Sequence, residues 1–191
     1  MVSKGIGSAV YLAQFFVAEA VNNGGTAVDA TAGNGNDTLF LARLVGEGGK
    51  VYAFDTQAKA LQITQELLKN NGCMERVELL QAGHEKMRKL VPGPVDAVMF
   101  NLGYLPGGDH SIVTQPLTTL KALGAALELL RTGGRIGLVI YTGHPGGREE
   151  AETVEKFISS LNADIFKVIK ISFVNRAANA PVVIVIEKDG A

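Results

Sequence analysis

The chain predicts an α/β fold built on a mostly parallel sheet, and three observations carry that prediction. Short β-prone runs alternate with helical patterns from Thr26 to Leu161. A strand, a glycine turn and a helix start follow one another in Thr26-Ala27-Val28-Asp29-Ala30-Thr31-Ala32-Gly33-Asn34-Gly35-Asn36-Asp37-Thr38. Two long β runs close the chain, and only residues 175–181 connect them, so they should pair antiparallel. At 191 residues and 47% hydrophobic content, the chain suits a single domain spanning 1–191 with a sizeable core.

The elements follow in order. Residues 6–22 read as a helix, because Ile6, Val10, Ala13, Val17 and Ala20 keep helical spacing and Tyr11, Phe15 and Phe16 widen the apolar face. That face should pack on the sheet. Asn22-Asn23-Gly24-Gly25 breaks the chain before strand one, Thr26–Asp29. Asn36 or Asp37 can cap the helix over 38–44. Gly46-Glu47-Gly48-Gly49 ends that helix, and Lys50–Asp55 is strand two. Residues 57–71 carry an inner stripe of Ala60, Leu61, Ile63, Thr64, Leu67 and Leu68, ended by Asn70-Asn71-Gly72. Val77–Gln81 is strand three, followed by the turn Ala82-Gly83-His84-Glu85 and a short helix over 86–90. Pro92-Gly93-Pro94 precedes strand four, 95–100. Gln115-Pro116 admits a helix over 114–130, and Thr132-Gly133-Gly134 turns into strand five, 135–141. The acidic helix over 149–161 reads as a solvated outer face, and 165–174 with 182–187 form the closing hairpin.

The glycine turn admits two ligand readings. A dinucleotide fold places a third glycine where this chain has Thr38, so that fingerprint is broken. An acid, Asp29, stands four residues before Gly33, where it repels a pyrophosphate and suits a ligand with a cationic end. A second acid, Asp55, closes strand two 20 residues after Gly35, where a carboxylate can accept two ribose hydroxyls. The pattern D-x-x-x-G-x-G with that second acid resembles the class I S-adenosylmethionine (SAM)-dependent methyltransferases. The resemblance implies that Asp29 and the backbone at Gly33 and Gly35 hold the methionine part, with Asn34, Asn36 and Asp37 adding hydrogen bonds. It implies that Asp55 holds the ribose, and that Gln57 and His84 lie near the adenine. Asp55 alone does not separate this reading from an NAD(P)-binding reductase, which places an acid nearby.

A second informative stretch follows strand four: Asn101-Leu102-Gly103-Tyr104-Leu105-Pro106-Gly107-Gly108-Asp109-His110. Ligands of open α/β sheets bind beyond the carboxyl ends of the strands, near the reversal of strand order. Amino-methylating SAM enzymes carry (N/D)-P-P-Y there. Asn101 and Tyr104 match that motif and both prolines are missing, which loosens the loop. After strand five, Thr142-Gly143-His144-Pro145-Gly146-Gly147-Arg148 also lies beyond a strand end, so His144 and Arg148 are candidates for the substrate mouth. Lys4 is a further candidate for a substrate phosphate.

Taken together, DATAGNGNDTLFLA, Asp55, Gly83-His84-Glu85, NLGYLPGGDH and YTGHPGG resemble the rRNA-methylase family of class I SAM-dependent methyltransferases. The resemblance implies a Rossmann-like seven-stranded sheet, mostly parallel with a C-terminal antiparallel hairpin. The family's bacterial members of the MnmM type methylate the aminomethyl group of 5-aminomethyl-2-thiouridine at the tRNA wobble position. The implied activity is direct transfer of a methyl group to nitrogen, with tRNA as partner. Asn101 would orient the amine, Tyr104 would stack on the base, and His110 or His144 would take the proton.

Composition bounds these readings. A formal charge of −1 gives no global basic field, so nucleic acid is not announced and RNA contact must be local. That balance keeps a small-metabolite or rRNA substrate open, along with a non-catalytic SAM-fold subunit. The single cysteine, Cys73, excludes an intrachain disulfide and a cysteine-based zinc site, and the direct-transfer chemistry calls for no metal. No apolar run reaches membrane-spanning length and no signal peptide is visible, so the expectation is a cytoplasmic protein away from the membrane. The apolar hairpin edge and the first helix give a homodimer a place to form.

Overall fold

The computed structural model describes residues 5–103, 107, 113–177 and 179–190. Seven strands form one sheet in the order β3-β2-β1-β4-β5-β7-β6. They are β1 (Thr26–Asp29), β2 (Lys50–Asp55), β3 (Val77–Gln81), β4 (Val95–Leu102), β5 (Leu130–Ile140), β6 (Phe166–Ile171) and β7 (Val182–Lys188). Strands β1 to β5 pair in parallel, and β7 runs antiparallel to both β5 and β6. The closing hairpin is therefore as expected, with β6 on the outer edge.

Among the described residues, six α-helices cover the sheet: α1 (Ala9–Ala18), α2 (Asn36–Val45), α3 (Ala58–Asn70), α4 (Met87–Leu90), α5 (Pro116–Leu129) and α6 (Gly147–Ser159). Side chains alternate faces along each strand. Ala27, Val51, Met99 and Val139 meet α1, α2 and α3 on one side. Val28, Phe54, Phe100 and Leu138 meet α4, α5 and α6 on the other. Both faces are thus buried, which is why the inner strands read as nearly continuous apolar runs. Among the described residues, no helix is long and apolar enough to cross a membrane.

Several expected boundaries move: α1 and β6 are shorter than the runs 6–22 and 165–174, and two further shifts bear on the site. Strand β4 continues past Phe100 to Leu102, because Asn101 and Leu102 pair with Val139 and Ile140 of β5. Asn101 is therefore fixed on a strand end. The expected turn at Thr132-Gly133-Gly134 is a bulge inside β5: Val95 pairs with Leu130, yet Ala97 pairs with Arg135. Gly133 supplies the left-handed residue at φ 75°. Arg131 braces the bulge by binding the buried Asp96 carboxylate and the Ala20 carbonyl.

Candidate functional site

A cavity of about 800 Å³ opens at the carboxyl ends of the parallel strands, where β1 and β4 flank the reversal of strand order. Such reversals are where open α/β sheets take ligands, and the volume lies in the range of small-molecule sites. The turn after β1 contributes Gly33, Asn34, Asn36 and Asp37 to its wall. Asp55 and Gln57 come from the end of β2, and His84 from the turn after β3. Asn101 and Gly103 come from the end of β4, and Tyr141 and His144 from beyond β5.

Glycine is required at two turn positions. Gly33 and Gly35 both hold positive φ, 52° and 80°. A Cβ on Gly35 would also sit 2.9 Å from the Thr64 Cα, so α3 packs directly on the turn. The Thr64 hydroxyl donates to the Gly33 carbonyl at 3.1 Å and ties the two elements further. Gly35 itself occupies the cap position of α2, in place of the expected Asn36 or Asp37, and brings no side chain to cap it. The reason is steric: the left-handed turn that enters α2 tolerates only glycine at that point. Gly35 is buried behind the wall and shapes the cradle from there.

Asp55 braces the cradle from the second strand. Its Oδ2 accepts the Gly33 N–H at 2.9 Å and its Oδ1 accepts the Gln57 N–H at 2.9 Å. A carboxylate has about four acceptor positions, so room is left for two hydroxyls of a ligand. His84 is buried and stacks edge-on to Phe100, ring centroids 5.9 Å apart. Its Nδ1 lies 3.2 Å from the Ala30 carbonyl, which only accepts, so Nδ1 carries the proton. Burial pushes the imidazole pKa down, with the Ala30 bond opposing, so the ring is neutral and Nε2 is an acceptor.

Acidity concentrates on the other side of the cavity. Asp29 is completely buried and does not reach the wall. Its Oδ2 accepts the Thr38 hydroxyl at 2.6 Å and its Oδ1 the Thr31 N–H at 3.1 Å. Asp29 thus orders the turn from behind the wall. Burial, then the neighbouring Asp37, pushes its pKa up to about 7 against the opposing bonds from Thr38 and Thr31. Thr38, where a dinucleotide fold has glycine, is thus the residue that holds this acid.

Asp37 does line the cavity. Its Oδ1 accepts Gln14 Nε2 from α1 at 2.6 Å, and its Oδ2 accepts Asn101 Nδ2 from β4. Burial raises its pKa, with the bonds from Gln14 and Asn101 opposing. Two adjacent carboxyls with little solvent will bind a cation strongly, because a positive ligand relieves their repulsion as they ionise. The backbone N–H of Asn101 donates to the Thr31 hydroxyl at 2.7 Å, locking β4 to the first turn. Its Oδ1 is buried and has no hydrogen-bond partner among the described residues.

Of the residues singled out by sequence, Gly33, Asn34, Asn36, Asp37, Asp55, Gln57, His84, Asn101 and His144 meet at this one cavity. His144 is poorly placed to take a proton: Nδ1 lies 2.9 Å from the Pro145 carbonyl, and Nε2 is buried against Gly147. Arg148 is exposed and lies at a neighbouring shallow depression. Tyr104 and His110, like Lys4, lie outside the described residues.

Three contributors escaped the sequence reading. Gln14 interrupts the apolar run of α1, and that interruption is its signal. Tyr141 lines the cavity, and burial followed by the Asp37 charge raises its phenol pKa. Glu150, expected on a solvated face, is buried and accepts the hydroxyls of Thr114 and Thr119, each at 2.6 Å. It pins the start of α5 to the start of α6, and Thr114 N–H bonds the Gly103 carbonyl at 3.0 Å.

Comparison with known proteins supplies likenesses. A family model described as "Putative rRNA methylase" matches residues 51–187. The chain is 47% identical over 176 residues to the chloroplastic tRNA (mnm(5)s(2)U34)-methyltransferase of Arabidopsis thaliana, covering 87% of this chain and 64% of that protein. It therefore spans somewhat less than two thirds of that relative's length. A "putative rRNA-methylase" from Clostridium thermocellum superposes with a TM-score of 0.92 at 46% identity, covering 98% of this chain and 100% of the other. A methyltransferase from Streptococcus mutans, described as putative and solved in complex with SAH, gives a TM-score of 0.87 at 37% identity over 98% and 99% of the two chains.

Proposed function

The chain belongs to the "Putative rRNA methylase" family, and on that premise we propose that it is a SAM-dependent N-methyltransferase. Its proposed acceptor is the aminomethyl group of 5-aminomethyl-2-thiouridine at the tRNA wobble position. The observation that carries the reading is a single cavity with two chemically distinct ends. At one end Asp55, Gln57 and His84 offer hydrogen bonds suited to a nucleoside. At the other, Asp37 and the buried Asn101 amide oxygen offer acceptors suited to cations and amines. The similarity to the Arabidopsis enzyme supports the wobble uridine as the base.

The residues present fit the methyl donor. Asp55 would hold its ribose, the turn at Gly33 and the uncapped start of α2 its amino acid carboxylate, and His84 would border its adenine. When bound, SAM supplies a methyl group on a sulfonium, already a good electrophile. The protein's task is then to position the acceptor and exclude water. Asn101 Oδ1 would accept a hydrogen bond from the acceptor amine and aim its lone pair. Asp37, with Asp29 behind it, puts two carboxyl groups at the amine end of the cavity.

Titration calorimetry with SAM, and with NADH as control, checks the cofactor: micromolar SAM binding without NADH binding is expected. NADH binding without SAM binding would return the chain to the reductase reading. A small amine metabolite is the second reading for the acceptor, favoured by the formal charge of −1. Methyl transfer to purified hypomodified tRNA against metabolite pools separates the two. We place the protein in the cytoplasm. We also propose a homodimer through the β6 edge and α1, where Ile169 and Phe15 are exposed; a monomeric mass by light scattering would exclude it.

A further inference from the structure

Beyond this reading, and resting on it, we infer that Asp37 is the group that takes the proton from the acceptor amine, held in position by Gln14 of α1 and Asn101 of β4. An alkyl amine is mostly protonated near neutral pH, and an ammonium has no lone pair with which to attack. At the amine end of the cavity, the described residues offer few groups to accept that proton. His84 is at the nucleoside end, and its Nδ1 is engaged with Ala30. The Nε2 of His144 has no accessible surface. Tyr141 keeps its phenolic proton, since burial and Asp37 both oppose its loss.

Asp37 has what those groups lack. Its carboxylate lines the cavity beside Asn101, whose Oδ1, without a partner among the described residues, marks where an N–H donor belongs. Gln14 and Asn101 each use one position on a different oxygen, leaving the second position on each for the amine. Both grips are neutral amides, so neither quenches its basicity as a lysine or arginine would. The titratable groups that face it are Asp29, behind it on β1, and Tyr141, beyond β5. Burial raises its pKa above that of an ordinary aspartate against the opposing bonds from Gln14 and Asn101, toward the range useful to a base.

R–CH2–NH3⁺ gives one proton to the Asp37 carboxylate, leaving R–CH2–NH2 and a neutral carboxylic acid. The nitrogen lone pair forms the C–N bond to the methyl while the C–S electron pair returns to sulfur. The product is R–CH2–NH2⁺–CH3, and Asp37 returns its proton to solvent as product leaves. Gln14 is a positioning residue: it donates to the carboxylate and fixes its plane.

The test is Asp37→Asn, nearly identical in shape. Methyl transfer to an aminomethyl-uridine anticodon stem-loop should fall about 10²- to 10⁴-fold near neutral pH. The loss should shrink steadily as pH approaches the amine's own pKa, where free amine no longer needs a base. SAH affinity should stay within about threefold, showing an intact site. Without methyl donor, wild type should bind the aminomethyl stem-loop about tenfold tighter than the unmodified one, and Asp37→Asn should erase that preference. Gln14→Leu should lower kcat about tenfold with KM unchanged. A loss equal at every pH, a retained binding preference, or lost SAH binding would each overturn the inference. Wild-type protein that binds SAM yet leaves the amine unmethylated would instead remove the functional reading, and the inference with it.

Discussion

Replacing Asp55 by alanine tests the nucleoside end of the site, and its effect can be divided between ligand and protein. Its carboxylate accepts the N–H groups of Gly33 and Gln57, both at 2.9 Å. These amides sit at a half-exposed position, so water replaces much of what the protein loses. A stability cost of about 1 kcal/mol follows, which lowers Tm by roughly 2–4 °C in a chain of this size. The ligand loses more, because two ribose hydroxyls would each give up a bond to an ionised acceptor. At about 1.5 kcal/mol for each bond, the sum is about 3 kcal/mol, or roughly a 150-fold weaker Kd. Asp55→Asn keeps one amide oxygen and should weaken binding about tenfold. Calorimetry with SAH reads both variants, and thermal melts without ligand read the protein's share. SAH affinity within about threefold of wild type for Asp55→Ala would show that the ribose is held elsewhere.

Other perturbations probe the cradle, the acids and the loop anchor. Gly35→Ala must place a Cβ 2.9 Å from the Thr64 backbone at φ 80°, so a loss of about 2–4 kcal/mol and a melt lowered by roughly 5–15 °C are expected. Asp29 has a folded pKa raised to about 7, so the folded state retains its proton longer than the unfolded chain. Its contribution to ligand-free stability is therefore greatest at low pH and is lost as pH rises from about 4 to about 7. Melts across that window should fall more steeply with pH for wild type than for Asp29→Asn; parallel curves would mean that Asp29 carries no such burden. Glu150→Ala strips two threonine hydroxyls of their acceptor, and kcat/KM toward RNA should drop about tenfold while SAH binding holds. Weakened SAH binding there would place Glu150 among the cofactor supports.

Much of this architecture was legible because its signals are local. The glycines at 33 and 35 announce a left-handed turn, and Asp55 announces a polar strand end. The short connection before β7 requires an antiparallel partner. What stayed hidden depends on distance in three dimensions. A carboxylate such as Asp29 looks the same in sequence whether it faces a ligand or a threonine behind the wall. Thr38 broke a fingerprint, and only the fold shows that its hydroxyl anchors that acid. Helical periodicity marked α6 as amphipathic, yet it did not tell Glu150, which is buried, from Glu149, which is exposed. Gln14 and Asp37 are separated by 23 positions and meet only because α1 and α2 share one face of the sheet.

The central claim is methyl transfer to a wobble-uridine amine, and nucleoside mass spectrometry tests it most directly. Hypomodified tRNA carrying 5-aminomethyl-2-thiouridine would be incubated with the protein and SAM carrying a labelled methyl group. The account predicts conversion to labelled 5-methylaminomethyl-2-thiouridine, dependent on Asn101. Label appearing only in ribosomal RNA, only in small molecules or nowhere, from protein that binds SAM, would contradict it.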